Sequence, residues 1–128
     1  MNHPQEVQHG LTELRRGVTT LAVLLNLRSE NHGYAVRLLL ANSGLSLKEG
    51  TLYPLLRRLE AQGILTGRWD CTGDRMRKYY SLTELGKETL KVMRDQWASL
   101  IHIVDSLGAM NGGPEPRPPV KGEIYEPI

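Results

Sequence analysis

Between Gly50 and Tyr80 the chain runs Gly-Thr-Leu-Tyr-Pro-Leu-Leu-Arg-Arg-Leu-Glu, reaches Gly63-Ile-Leu, and continues to Gly73-Asp-Arg-Met-Arg-Lys-Tyr-Tyr. Leu52, Leu55, Leu56 and Leu59 recur at the spacing of one helical face. Thr51, Tyr53, Arg57 and Arg58 therefore lie off that face, toward solvent. Ile64 to Trp69 and Met76 to Leu82 are short β-capable runs separated by Asp70-Cys71-Thr72-Gly73-Asp74, which reads as a hairpin with Arg75, Arg77 and Lys78 at or near its tip. An amphipathic basic helix fits the DNA major groove, and a basic hairpin beside it can hold the flanking phosphates. The pairing predicts a mainly α fold with a β-hairpin, a winged helix-turn-helix.

The rest of the chain supplies the support. Leu11, Leu14, Val18, Leu21 and Leu25 step by 3, 4, 3 and 4, a helical seam that becomes apolar nearly all round by Leu27 and is thus expected to be deeply buried there. Asn31-His32-Gly33 reads as a stop, and a second helix is expected from about Tyr34 to Ala41. Ser46-Leu47-Lys48-Glu49 has the capping-box pattern and would start the third helix at about residue 47. Pro54 leaves two readings open: a helix starting there and softened at Gly50, or one starting nearer Thr51 with the proline in its first turn. Gly63 suits the stop. Ser81 or Thr83 caps a last helix, in which Leu90, Met93, Trp97, Leu100, Val104 and Leu107 step by 3, 4, 3, 4 and 3. The expected organisation is a flexible N-terminus (1–10), a winged helix-turn-helix (11–82), a long C-terminal dimerisation helix (83–108) and a Pro- and Gly-rich tail, extended or disordered (109–128).

A seam of that length needs a partner surface. Either two copies interlock through it as a two-fold dimer, the favoured reading, or it folds back on the first helix within one chain. Trp97 on the seam, facing its two-fold mate, would give a platform for a small planar or phenolic ligand, with Met93, Leu100, Leu11, Leu14 and Val18 as lining; the plainer reading is that it fills the interface. Trp69 is expected to pack beneath the hairpin.

Charge is unevenly placed. Residues 34–83 hold eight Lys or Arg against four acids, whereas the whole chain is only +2. His3, His9, His32 and His102 are scattered and Cys71 is the lone cysteine, so metal-ligand spacing, catalytic residues and a cofactor motif are all lacking. The single cysteine fits a reducing cytoplasm, and no apolar run is long enough for a membrane span.

The order of elements, together with His32-Gly33-Tyr34, Gly50 to Glu60 and Arg77-Lys78-Tyr79-Tyr80-Ser81-Leu82-Thr83-Glu84-Leu85-Gly86, resembles the PadR family of transcriptional regulators, in its shorter subgroup with one long C-terminal helix. The resemblance covers about residues 11–107. It implies a homodimeric, cytoplasmic repressor that leaves a palindromic double-stranded DNA operator when a small molecule binds. The candidate DNA contacts are Tyr34, Lys48, Thr51, Tyr53, Arg57 and Arg58, with Arg75, Arg77 and Lys78 on the wing. Of these, Lys48, Thr51 and Tyr53 suit base edges, and Arg57 and Arg58 suit phosphates. The competing reading is a winged-helix protein-interaction module whose basic face docks an acidic partner and whose last residues, 123–128, form a short linear contact.

Overall fold

Four leucines on one helix organise the centre of the molecule. In the computed structural model, which describes residues 3–110, the helix α3 (Glu49–Ala61) buries Leu52, Leu55, Leu56 and Leu59. They meet Leu21, Val23, Leu24 and Leu27 at the end of α1 (Gln5–Asn26) and Val36 and Leu40 of α2 (Gly33–Asn42) in one core. Leu65 of β2 (Leu65–Asp70) and Tyr80 and Leu82 of β3 (Arg77–Leu82) close it from the sheet side. Each fully buried leucine contributes roughly 1.5–3 kcal/mol relative to an exposed one, so this cluster fixes how α3 is rotated.

β2 and β3 form the antiparallel hairpin, registered from Leu65 opposite Leu82 to Asp70 opposite Arg77. A third strand, β1 (Asn31–His32), pairs with the far edge of β3, giving the order β1-β3-β2. The sequence marks these two residues only as a stop, because a two-residue strand is too short to show alternation. Gly33, immediately after it, is buried, and a Cβ there would come within 2.5 Å of the Tyr53 ring. Glycine at this point allows α2 and α3 to approach closely.

Several boundaries differ from the expected ones. α1 begins at Gln5 rather than Leu11, extending the helix through part of the segment read as a flexible N-terminus. α3 begins at Glu49, with Lys48 as N-cap and no side-chain cap, so the Ser46–Glu49 box does not form. Glu49 is engaged instead by Arg37, whose Nη1 lies 3.2 Å from the carboxylate while its Nε donates to the Leu47 carbonyl. Pro54 is accommodated inside a continuous helix, past the first turn. The tail expected over 109–128 lies outside the described residues from 111 onward, as does the linear contact at 123–128.

The chain divides into two units, one ending at Leu90 and the other beginning at Lys91. The first holds everything above and the start of α4 (Glu84–Ala109). Thr83 is the cap of that helix: its hydroxyl accepts from the Gly86 N–H (3.0 Å) and donates to the Gly63 carbonyl (2.6 Å). Ser81, the other candidate, belongs to β3. A side chain at Gly86 would run into the Ile64 carbonyl, so the first turn of α4 lies against the segment leaving α3. Among the described residues the second unit consists mainly of the remainder of α4, on which Leu100, Ile103, Val104 and Leu107 are each at least half exposed.

Thr83→Ala removes both the cap and the tie to Gly63. It is expected to lower the free energy of unfolding by about 1–2 kcal/mol, read from the urea midpoint of the purified protein.

Candidate nucleic-acid interface

With the leucine stripe turned inward, the outer surface of α3 presents two edges to different neighbours. Tyr53 and Arg57 face the wing. Together with Tyr34 of α2 and Trp69, Arg75, Met76, Arg77 and Lys78 of the hairpin they line an open cleft of about 610 Å³, floored by Tyr80 and flanked by His32. Lys48, Thr51 and Arg58 face α1 instead, where they line a groove of about 690 Å³ with Thr12, Arg15, Arg16 and Thr19. The nine residues expected at DNA thus fall into a wing-side group of six and an α1-side group of three.

The charges in these two surfaces are not equivalent. Lys78 Nζ lies 2.7 Å from the Glu60 carboxylate, and both side chains are about three-quarters buried. The ammonium also sits over the Trp69 and Tyr80 rings, at 5.7 and 5.3 Å. The hydrogen bond to Glu60 holds the Lys78 pKa above its ordinary value. Arg68 is likewise committed, forming a two-pronged pair with Glu30 at 2.8 and 2.6 Å and lying 4.9 Å over Tyr79. That hydrogen bond, opposed by some desolvation, lowers the Glu30 pKa. An exposed pair of this kind adds little stability, but it occupies Arg68 and ties the hairpin to the loop before β1. Lys48, Arg57, Arg58, Arg75 and Arg77 make no ion pair among the described residues. Of the nine residues expected at DNA, those five are the unpaired cations, and Arg15 on the α1 side of the groove is likewise without an ion pair among the described residues.

Arg77 and Lys78 are consecutive residues of β3, whereas Arg75 lies in the tip outside the ladder. All three line the cleft. Of the two adjacent tyrosines of β3, Tyr80 enters the core and Tyr79 makes a T-shaped contact with His32.

Two features of the cleft escape the sequence reading. Trp69, expected beneath the hairpin, is 59% exposed and lies in the cleft wall. The space beneath the sheet is taken by Leu65, Tyr80 and Leu82. His32 is the N-cap of α2: its Nδ1 accepts from the Ala35 N–H at 3.2 Å, and its Nε2 lies 3.2 Å from Arg77 Nη1. Burial, and then the Arg77 charge, lower its pKa from the ordinary imidazole value, which favours the neutral ring. The available signal was an N-cap position directly before a glycine, where a short polar side chain is the usual occupant.

A basic helix edge, a basic hairpin and an open cleft between them are the surface of a duplex reader. The sequence comparison agrees. Residues 21–92 match the model of the PadR-like family of transcriptional regulators. The chain belongs to that family. A PadR family transcriptional regulator from Eggerthella lenta is 42% identical, superposes with a TM-score of 0.77, and is covered over 94% of its length by 82% of this chain. A transcriptional regulator from Streptococcus is 34% identical, with a TM-score of 0.68, 75% of this chain and 97% of that one. A transcriptional regulator of Mycobacterium tuberculosis is 33% identical over 81 residues, which are 62% of this chain and 76% of that protein. The PadR-like chain is accordingly a DNA-binding regulator of transcription and has a non-enzymatic role. No helix among its described residues is long and apolar enough to cross a membrane.

The residues expected to bind an effector occupy two helices. Met93, Trp97 and Leu100 share one face of α4, with Met93 half-buried and Trp97 and Leu100 exposed at 42% and 51%. Leu11, Leu14 and Val18 share one face of α1, where Leu14 is 71% exposed and the other two are half-buried.

The placement of Trp69 has a direct spectroscopic test. In a Trp97→Phe variant the remaining indole is expected to emit as a water-exposed tryptophan and to be quenched readily by iodide. A blue-shifted, protected emission would return Trp69 to the core.

Proposed function

We propose that this PadR-like regulator is a homodimeric, cytoplasmic repressor that reads a palindromic operator and leaves it when a small planar, apolar or phenolic molecule binds. The observation that carries the reading is the set of uncommitted cations, Lys48, Arg57, Arg58, Arg75 and Arg77, distributed along α3 and the wing. In this reading α3 enters the major groove. Its early residues Lys48, Thr51 and Tyr53 approach base edges, while Arg57 and Arg58 meet phosphates. Arg75 and Arg77 hold the backbone beside it. Tyr34 bonds a phosphate through its hydroxyl, and Lys78, held by Glu60, contributes its charge from the cleft wall.

The dimer is supported by the apolar face left open on the second unit. Trp97, Leu100, Val104 and Leu107 are exposed in a single chain, and covering them with a second copy removes that surface from water. Two reading heads related by a two-fold axis require half-sites about 34 Å apart, one helical turn, or a multiple of it. Paired Trp97 rings, with Met93 and Leu100, give the effector its platform. An effector that prefers a spacing of the heads unlike the operator's shifts the population away from the DNA-bound form.

Mobility shifts across a salt series test the DNA reading. Affinity is expected to fall by orders of magnitude between about 50 and 200 mM salt. The Arg57→Ala, Arg58→Ala double variant should reduce the slope of log K against log salt by about 0.9 for each phosphate that is no longer neutralised. Unchanged affinity in that variant would sink the assigned face.

Leu100→Lys combined with Val104→Lys is expected to give monomers in analytical ultracentrifugation. Operator affinity should drop about 100-fold as the second half-site ceases to be held at high effective concentration.

A further inference from the structure

We propose that His32 and Arg77 together bind one phosphodiester of the DNA backbone, with His32 serving as a neutral hydrogen-bond donor. The inference rests on the DNA-binding reading above and assigns to that surface a residue outside its expected contacts. Hydrogen placement at the ring is decisive. The Ala35 N–H points at His32 Nδ1 (3.2 Å), so that nitrogen offers its lone pair and the neutral ring carries its hydrogen on Nε2. Arg77 Nη1, 3.2 Å from Nε2, has only hydrogens to offer. Two donors therefore face each other with no acceptor between them. The other tautomer gives no relief, because it would set an Nδ1 hydrogen against the Ala35 N–H and remove the cap of α2. Protonating the ring fails for the same reason.

An acceptor with several lone pairs that reaches both groups resolves the conflict, and a negative charge suits the guanidinium. The ring is pre-positioned for it. Its backbone is paired with Tyr79 through β1 and β3, and its ring meets the Tyr79 ring in a T-shaped contact at 5.4 Å and 86°. The Nε2 edge opens onto the cleft shared with Tyr34, Arg57 and Arg75, whose lining among the described residues contains no carboxylate. An anion entering there meets the cations Arg57, Arg75, Arg77 and Lys78 and no lining carboxylate. Because the same cleft separates α3 from the wing, the anion that fits is a backbone phosphate of a duplex held by both.

The test compares the wild type with His32→Asn, Arg77→Gln and the double variant, using a fluorescently labelled random-sequence duplex across a salt series. Asparagine keeps an N-cap acceptor for Ala35 but lacks the ring-edge donor. His32→Asn is expected to weaken binding about tenfold with an unchanged salt slope, since a neutral group displaces no counterion. Arg77→Gln should weaken binding and lower the slope by about 0.9 for each protomer bound. The double variant should lose less than the product of the two single effects, because both donors serve one phosphate.

Wild-type affinity in a His32→Asn protein with an unchanged melting temperature would overturn the inference while leaving the DNA reading intact. So would strict additivity in the double variant. A wild-type chain that binds no duplex at any salt would overturn both. Should His32→Asn not fold, nitrogen-15 NMR of the wild-type imidazole decides. The Nε2–H tautomer, with a resonance that moves on adding duplex but not on adding the same concentration of inorganic phosphate, is the expected result. An Nδ1–H tautomer, or a saturable shift with inorganic phosphate alone, would overturn the assignment.

Discussion

Everything on the reading surface depends on the burial of Leu52, Leu55, Leu56 and Leu59. Their stripe leaves α3 one rotational setting in which all four are dry. That setting turns Arg57 toward the wing and Arg58 toward α1. Rotating the helix by one residue's angle, about 100° at 3.6 residues per turn, would expose leucine and bury arginine, and the cost of an unpaired buried charge forbids it. Specificity of presentation thus comes from the apolar side of the helix, although the chemistry of recognition belongs to the polar side.

The cations around α3 divide by whether the fold uses them. Arg37 holds the turn between α2 and α3, Arg68 holds the loop before β1, and Lys78 holds the end of α3 to the wing. Each has an acidic partner close by in space, in Glu49, Glu30 and Glu60. The arginines and the lysine that lack such partners lie where the surface opens. The concentration of positive charge in residues 34–83 is therefore a mixture of groups paired within the fold and groups left unpaired, and charge counting alone does not separate them.

Much of this is legible in the sequence, and the reasons are specific. The 3,4 spacing of leucines in α3 and the hairpin flanking Gly73 are patterns with strong periods, and both elements lie where those periods put them. What the sequence hides is local chemistry decided by distant partners. Ser46 and Glu49 have capping-box spacing, but Arg37, twelve residues before Glu49, takes the carboxylate. Trp69 reads as core from its size, but the sheet's inner face is already filled by Leu65, Tyr80 and Leu82. β1 is invisible because two residues carry no period. For the site, the residue types are readable, whereas their division between wing cleft and α1 groove is not, since adjacent arginines on a helix diverge by about 100°.

The Glu60–Lys78 pair ties α3 to β3, and the β1–β3 ladder ties the strand leading into α2 to the same β3. A head cross-linked in this way is stiff compared with a stretch of duplex. When the two meet with an imperfect fit, the DNA is the softer body and takes up the strain. The stiffness of base steps that no side chain touches then enters the binding free energy, with smooth bending of a short site costing on the order of 1–6 kcal/mol. On the proposed two-half-site reading, flexible pyrimidine–purine steps between the half-sites would lower that cost, and the operator would be selected partly for how readily it deforms.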